Sequence, residues 1–280
     1  MITDNDSLTN RPAVDGVAAI LGNYRLRALI CQSSVAAFYD AEQLDLGNRR
    51  VVLKVVSGDE RTIDWFRQET LRTARLNHPN IIQIYQLGQV GERHFCAMQF
   101  LEGRSLKLII AEQGAFTPIR ALAIIKQIAA ALDHAHSLGV IHTDIKPWKI
   151  LLDQSNHTTL IGFNMRPPVG NPRYMAPEQV TRDSPPDNYT DIYGFGLTVF
   201  EILAGRHPYD NLPPKDMIVR IAVGPPPSLR SLNANIPAAA DSVLQRAMAR
   251  RREDRFSSAG EFADALARSF FLRSDHSIKP

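Results

Sequence analysis

Hydrophobic and polar positions divide the chain into three kinds of segment. Residues 1–20 are polar and lack sustained periodicity, which reads as a mobile tail. From Tyr24 the pattern changes. Residues 24–30, 36–41 and 50–56 are rich in β-branched and aromatic residues, with Gly, Asn, Ser or Asp between them. They predict successive antiparallel strands. A helix is expected over about 60–76, with Trp65, Thr73 and Leu76 sharing one face and His78-Pro79-Asn80 as its stop. Two more strands are expected at 81–87 and 94–100. Beyond Gly103 the chain turns helical, most clearly in the alanine-rich apolar stretch 121–136 and again at 191–204 and 237–250. Five strands with one helix, followed by a larger helical part, make an α+β protein. No internal repeat is present, which argues against a solenoid.

Composition narrows the function classes without choosing one. The 280 residues are 44% hydrophobic and 22% charged, enough apolar material for a sizeable core. A net charge of +3 is too mild to argue for nucleic acid or a membrane surface, and neither is expected as a partner. Cys31 and Cys96 are too few for a disulfide framework and suit a reducing cytosol, so a cytoplasmic location is expected. No window approaches the roughly 20 apolar residues of a membrane span. The acidic, polar start does not read as a signal peptide.

Six short segments change the picture. They are Val51-Val52-Leu53-Lys54; Phe66-Arg67-Gln68-Glu69; His142-Thr143-Asp144-Ile145-Lys146-Pro147-Trp148-Lys149; Ala176-Pro177-Glu178; Asp191-Ile192-Tyr193-Gly194-Phe195-Gly196; and Glu253-Asp254-Arg255-Phe256. In order and spacing, from about residue 22 to 270, they resemble the protein kinase superfamily. The flavour is that of the eukaryotic-like Ser/Thr kinases of bacteria. The resemblance implies a bilobal fold. A small antiparallel sheet with one helix would fill about 21–98, a hinge about 99–103, and a mainly helical lobe about 104–272, with a tail at 273–280. It implies that Lys54 pairs with Glu69, that Asp144 stands as the base with Lys146 beside it, and that Glu178 pairs with Arg255. Phe38, Val52, Met98, Leu151 and Lys149 fall on nucleotide-cleft positions, together with Lys54 and Glu69.

The departures from the family pattern are as informative as the matches, because phosphoryl transfer is mostly positioning and charge neutralisation. The glycine-rich loop lands on Cys31-Gln32-Ser33-Ser34-Val35-Ala36-Ala37-Phe38 and keeps no glycine. Phe38 and Val52 enlarge side chains that would face the nucleotide. Lys149 stands where the family has an asparagine metal ligand. Gly162-Phe163-Asn164 stands in place of Asp-Phe-Gly, so the metal-holding aspartate is a glycine. Thr143 replaces the arginine that anchors an activating phosphate. Asn171 occupies the usual threonine position, and Tyr174 is the only hydroxyl side chain between Gly162 and Glu178.

The expected function is that of a pseudokinase, a regulatory or scaffolding module that binds a partner protein, with Asp144 vestigial and no metal. Two alternatives stay open: a weak Ser/Thr kinase using ATP without ordinary metal coordination, and a sensor that binds ATP without turnover. No cofactor is required, and any ATP would bind without magnesium. His134 and His136 read as ordinary helix residues and His142 as a packing residue. Arg250-Arg251-Arg252 reads as a solvated helix end, and Cys31 as an inert small side chain.

Overall fold

The structure is a computed structural model that describes residues 19–163, 172–225 and 228–271. The expected tails, Asn164 and Asn171 lie wholly or largely outside the described residues. The chain divides into two compact units, residues 1–102 and 103–280.

The first unit is built on six antiparallel strands: β1 (Ile20–Leu21), β2 (Tyr24–Gln32), β3 (Ala36–Gln43), β4 (Arg49–Val56), β5 (Ile84–Val90) and β6 (Arg93–Gln99). Their order in the sheet is β1-β2-β3-β4-β6-β5. The sheet curls until Tyr24 on β2 donates a hydrogen bond to Gln86 on β5. The period-2 alternation of a strand separates its faces. Tyr24, Ala41, Val51, Leu53, Phe95 and Ala97 form one cluster inside the curl. Val56 and Cys96, on the other face, pack with Phe66 of the helix α1 (Glu60–Thr73).

Helix α1 starts where Asp59 caps it by accepting from the Thr62 N–H. It ends at Thr73, three residues before the expected end. The chain tightens there into short i→i−3 bonds, from the Arg75 N–H to Arg72 and from the Leu76 N–H to Thr73. The buried stripe is Phe66, Thr70 and Thr73, one position away from Trp65, and Leu76 is buried beyond the helix end. The fifth strand begins at Ile84 rather than 81, because the Ile81 N–H turns back to His78.

The second unit holds a three-stranded sheet of β7 (Arg104–Ser105), β8 (Ile150–Leu152) and β9 (Thr158–Leu160). Its helices are α2 (Leu106–Gln113), α3 (Pro118–Ser137), α4 (Pro177–Thr181), α5 (Asn188–Ala204), α6 (Pro214–Val223), α7 (Ala238–Ala247) and α8 (Ala259–Phe271). Helix α5 is the core of the unit. Every residue from Thr190 to Leu203 is buried, as befits a helix that is apolar almost all round. Gly196 lets α7 approach, since a Cβ there would lie 2.7 Å from Met248. Asp133 on α3 accepts from the Ala259 and Gly260 N–H groups at 2.9 Å each and so caps α8. That helix escaped the sequence reading although Ala259, Phe262, Ala263 and Leu266 mark a helical stripe.

Helix α7 stops at Ala247, so Arg250-Arg251-Arg252 is not a helix end. Carboxylates hold two of these arginines instead: Arg251 pairs with Glu253, and Arg252 with Asp187 at 2.6 Å. Among the described residues no helix is long and apolar enough to cross a membrane.

Candidate functional site

In the first unit, strand alternation puts Val52 and Lys54 on the face opposite the core residues Val51 and Leu53. Cross-strand register sets Phe38 and Cys96 beside Lys54, and Asp40 and Met98 beside Val52. Phe38, Val52, Lys54 and Met98 are all half-buried. The Lys54 ammonium lies 3.6 Å from the Glu69 carboxylate on α1. It also sits 5.2 Å from the Phe66 ring centre and 5.9 Å from that of Phe38. The strand lysine and the helix glutamate are therefore paired, with aromatic rings around the cation.

The turn between β2 and β3 closes on itself. The Ser33 N–H donates to the Ala36 carbonyl at 2.8 Å. The Ser33 hydroxyl accepts from the Ala36 N–H at 3.1 Å and the Val35 N–H at 3.4 Å. Amides that a glycine loop would present to a phosphate are committed to a serine oxygen here. The sequence carried a signal for this that went unread: serine at the start of a tight turn favours this bonding. Neighbouring Cys31 has its thiol pushed up by burial and stays protonated, as an inert side chain would.

In the second unit, Asp191 organises the loop that carries Asp144. Its buried carboxylate accepts from the His142 and Thr143 N–H groups, both at 2.7 Å, and contacts His136 Nε2 at 2.8 Å. Thr143 is thereby held at φ 66°, a left-handed conformation rare for a β-branched residue. Gln179 steadies the same turn from α4: its amide donates to the Thr143 carbonyl at 2.8 Å and accepts from the Ala176 N–H at 2.9 Å. The roles of His136 and Gln179 were not read from the sequence, because their partners are 55 and 36 residues away.

His142 is fully buried beneath this loop. Its Nδ1 accepts from the Asp144 N–H at 3.3 Å, so Nε2 carries the proton and donates to the Ile161 carbonyl at 3.1 Å. Burial, then the nearby Lys149 charge, lower its pKa to about 4 and keep the ring neutral. It packs against Phe163 with 4.7 Å between ring centres. This is the packing role expected of it.

Asp144 lies between two ammonium groups, Lys149 at 2.9 Å and Lys146 at 3.1 Å. Burial pushes its carboxyl pKa up; Lys149 and Lys146 outweigh that and hold it below its ordinary value. Lys149 also donates to the Gly162 carbonyl at 2.8 Å. Two lysines, one aspartate and a neutral imidazole give the cluster a formal charge of about +1. Leu151 stands mid-strand on β8, paired with Ser105 and Thr159.

A magnesium ion would need about six oxygen ligands at about 2.1 Å, preferably carboxylates and waters. Here an ammonium takes the Asp144 and Gly162 oxygens at hydrogen-bond distance, and position 162 has no carboxylate. The donor set does not fit a divalent ion. Among the described residues no group of three or more His, Cys, Asp or Glu could hold a metal.

Two buried ion pairs brace the second unit. Arg255 meets Glu178 through two parallel bonds of 2.8 Å. The Lys107 ammonium reaches the fully buried Glu201 at 2.6 Å, and Tyr174 donates its hydroxyl to the same carboxylate. Tyr174, the only hydroxyl expected in its segment, is half-buried with its hydroxyl committed to Glu201, and its pKa is raised well above the usual value by desolvation and then by Glu201.

Residues 32–271 match the family model described as protein kinase domain. The chain is 34% identical over 279 residues to the serine/threonine-protein kinase PknD of Mycobacterium tuberculosis, covering 92% of this chain and 42% of that protein. It is 32% identical over 263 residues to PknH of Mycobacterium bovis, covering 88% and 44%. It is 29% identical over 267 residues to PrkC of Bacillus subtilis, covering 90% and 41%. The chain spans less than half the length of these curated relatives.

Proposed function

The chain belongs to the protein kinase domain family, and from that premise we propose that it is a catalytically impaired member, a pseudokinase that acts by binding a partner protein. The observation that carries this reading is the position of Lys149. Lys149 stands at one metal-ligand position of the family pattern, and its ammonium lies on the carbonyl of the other, Gly162, and on the Asp144 carboxylate. Catalysis of phosphoryl transfer depends on divalent cations that neutralise the phosphates. A lysine in their midst repels such ions. The sealed Ser33 turn supports the same reading, because its amides are taken. Asp144, Lys146 and Lys149 then act as a structural ion cluster, and Asp144 is a vestige of a base.

What remains is a folded body with a full set of architectural pairs, Glu178 with Arg255 and Asp191 with the loop at His142. Such a body serves as a rigid surface for another protein, in the cytoplasm and without nucleic acid. A second reading is favoured by one observation. The Lys54–Glu69 pair is formed, which suits a module that binds ATP without turnover.

The test is phosphate transfer from magnesium-ATP, with radiolabel, to the protein itself and to generic substrates. No transfer is expected. Transfer that disappears in an Asp144→Ala control would overturn the proposal in favour of an active Ser/Thr kinase. An ATP titration followed by thermal shift, with and without magnesium, separates the partner-binding module from the ATP-binding one.

A further inference from the structure

Lys149 and Gly162 are thirteen residues apart in sequence and in direct contact. Lys149 is nine-tenths buried. Its backbone is pinned on both sides: its N–H donates to the Lys146 carbonyl, and its carbonyl accepts from the Ile161 N–H, both at 2.9 Å. The side chain then runs alongside the backbone it has just bonded and returns its ammonium to the Gly162 carbonyl at 2.8 Å and to Asp144 at 2.9 Å. Gly162 has φ +72°, where a side chain is strained. A Cβ built there would lie 3.1 Å from Lys149 Cδ, 3.2 Å from Cε and 3.3 Å from Nζ. The absence of a side chain at 162 is therefore the space in which the lysine stem lies. An aspartate at 162 would meet both the strain and the stem.

The oxygens joined by this ammonium belong to two different segments, the Asp144 loop and the residues after β9. Joining oxygens from separate segments is the structural job that a divalent ion does in a metal site. We propose that Lys149 and Gly162 form a single latch, in which a resident ammonium takes over that job and makes the second unit independent of divalent cations. The latch rests on the reading above only in treating these two positions as the former metal positions. It adds that the two losses are one coupled replacement rather than two independent defects. The ammonium is covalently attached to the loop it fastens, so dilution or chelation cannot remove it. The segment leading into residue 163 is thereby fastened to the Asp144 loop without a metal.

The experiment is a double-mutant cycle on the full chain, with urea unfolding and melting temperature measured in EDTA and in millimolar magnesium chloride or manganese chloride, without nucleotide. The variants are Lys149→Asn, Gly162→Ala and the pair. Asparagine is too short to reach Gly162, so the contact between stem and Cβ vanishes in its presence. The expected result is non-additive. Gly162→Ala lowers the melting temperature clearly in the wild type and less in the Lys149→Asn background, where only the backbone strain persists. Neither magnesium nor manganese shifts the wild type. A second pair, Lys149→Asn with Gly162→Asp, is expected to gain a melting temperature that rises with metal concentration.

Additive single effects, or a wild type stabilised by metal alone, overturn the latch. Should Gly162→Asp fail to fold, the Gly162→Ala cycle still decides. Phosphate transfer by the wild type would overturn the proposed function and leave the latch standing, so the two failures are distinguishable.

Discussion

Arg255→Ala is the substitution with the largest expected effect outside the candidate site. The guanidinium is buried, with 2% of the residue exposed, and makes five hydrogen bonds. Two go to Glu178, at 2.8 Å each. The others go to the carbonyls of Ala249 and Tyr189 at 2.8 Å and of Arg250 at 3.1 Å. Among the described residues Glu178 would keep only the Thr190 hydroxyl, at 2.9 Å, as a side-chain donor. Removing one member of a buried ion pair costs about 3–5 kcal/mol. Abandoned carbonyls add about 1 kcal/mol or more each unless water replaces the lost donor. Water entering the vacated space offsets part of this, so the expected loss is about 4–6 kcal/mol. Whole domains are stable by about 5–15 kcal/mol, so the second unit should lie close to its unfolding midpoint without denaturant. The assay is urea unfolding by fluorescence in a Trp65→Phe background, where Trp148 is the remaining indole and reports on the second unit. Arg255→Met combined with Glu178→Leu should recover most of the loss, since no charge is then left unpaired. A loss below about 1 kcal/mol for Arg255→Ala would refute the reasoning, because a pair this buried cannot be exchanged so cheaply for water.

Two further outcomes are expected. His142 and His207 are both buried with pKa values lowered, by burial first, to about 4 and about 3. Between those values and the ordinary 6.5 the unfolded chain binds protons that the folded chain does not, so stability falls as pH falls through that window. The slope should be about 1.4 kcal/mol per pH unit for each imidazole. Urea midpoints between pH 5 and 6.5, above the carboxylate range, test this; a flat profile would contradict it. Lys107→Ala should destabilise the second unit by about 3–5 kcal/mol, because Glu201 is fully buried and, among the described residues, would retain only the Tyr174 hydroxyl. An unchanged urea midpoint would show that the Lys107–Glu201 contact contributes nothing.

The sequence made the architecture legible where a feature was local or carried by a motif. Strands 24–30 and 50–56 could be read because their alternation is local, and Glu178 with Arg255 because both lie in recognisable segments. Helix ends were misplaced at Thr73 and Ala247, where hydrogen bonds in the following turn decide the boundary and composition does not. The site was half legible. Asp144, Lys149 and Gly162 could be singled out as departures from a pattern, but the return of the Lys149 side chain to the Gly162 carbonyl depends on β8 and β9 pairing. Lys107 and Glu201 gave no signal, being ninety-four residues apart with nothing periodic to link them.

The crowding at Gly162 also bears on the order in which this chain diverged. A Cβ at 162 would lie 3.1–3.3 Å from the lysine stem at 149, so a lineage with a side chain at 162 could accept the lysine only where its stem gave way by a few tenths of an ångström. Restoring the aspartate alone meets the stem, and restoring the asparagine alone abandons a carboxylate and a carbonyl that had come to depend on an ammonium. Reversal is therefore opposed at both positions, and the geometry weighs against the ancestral state.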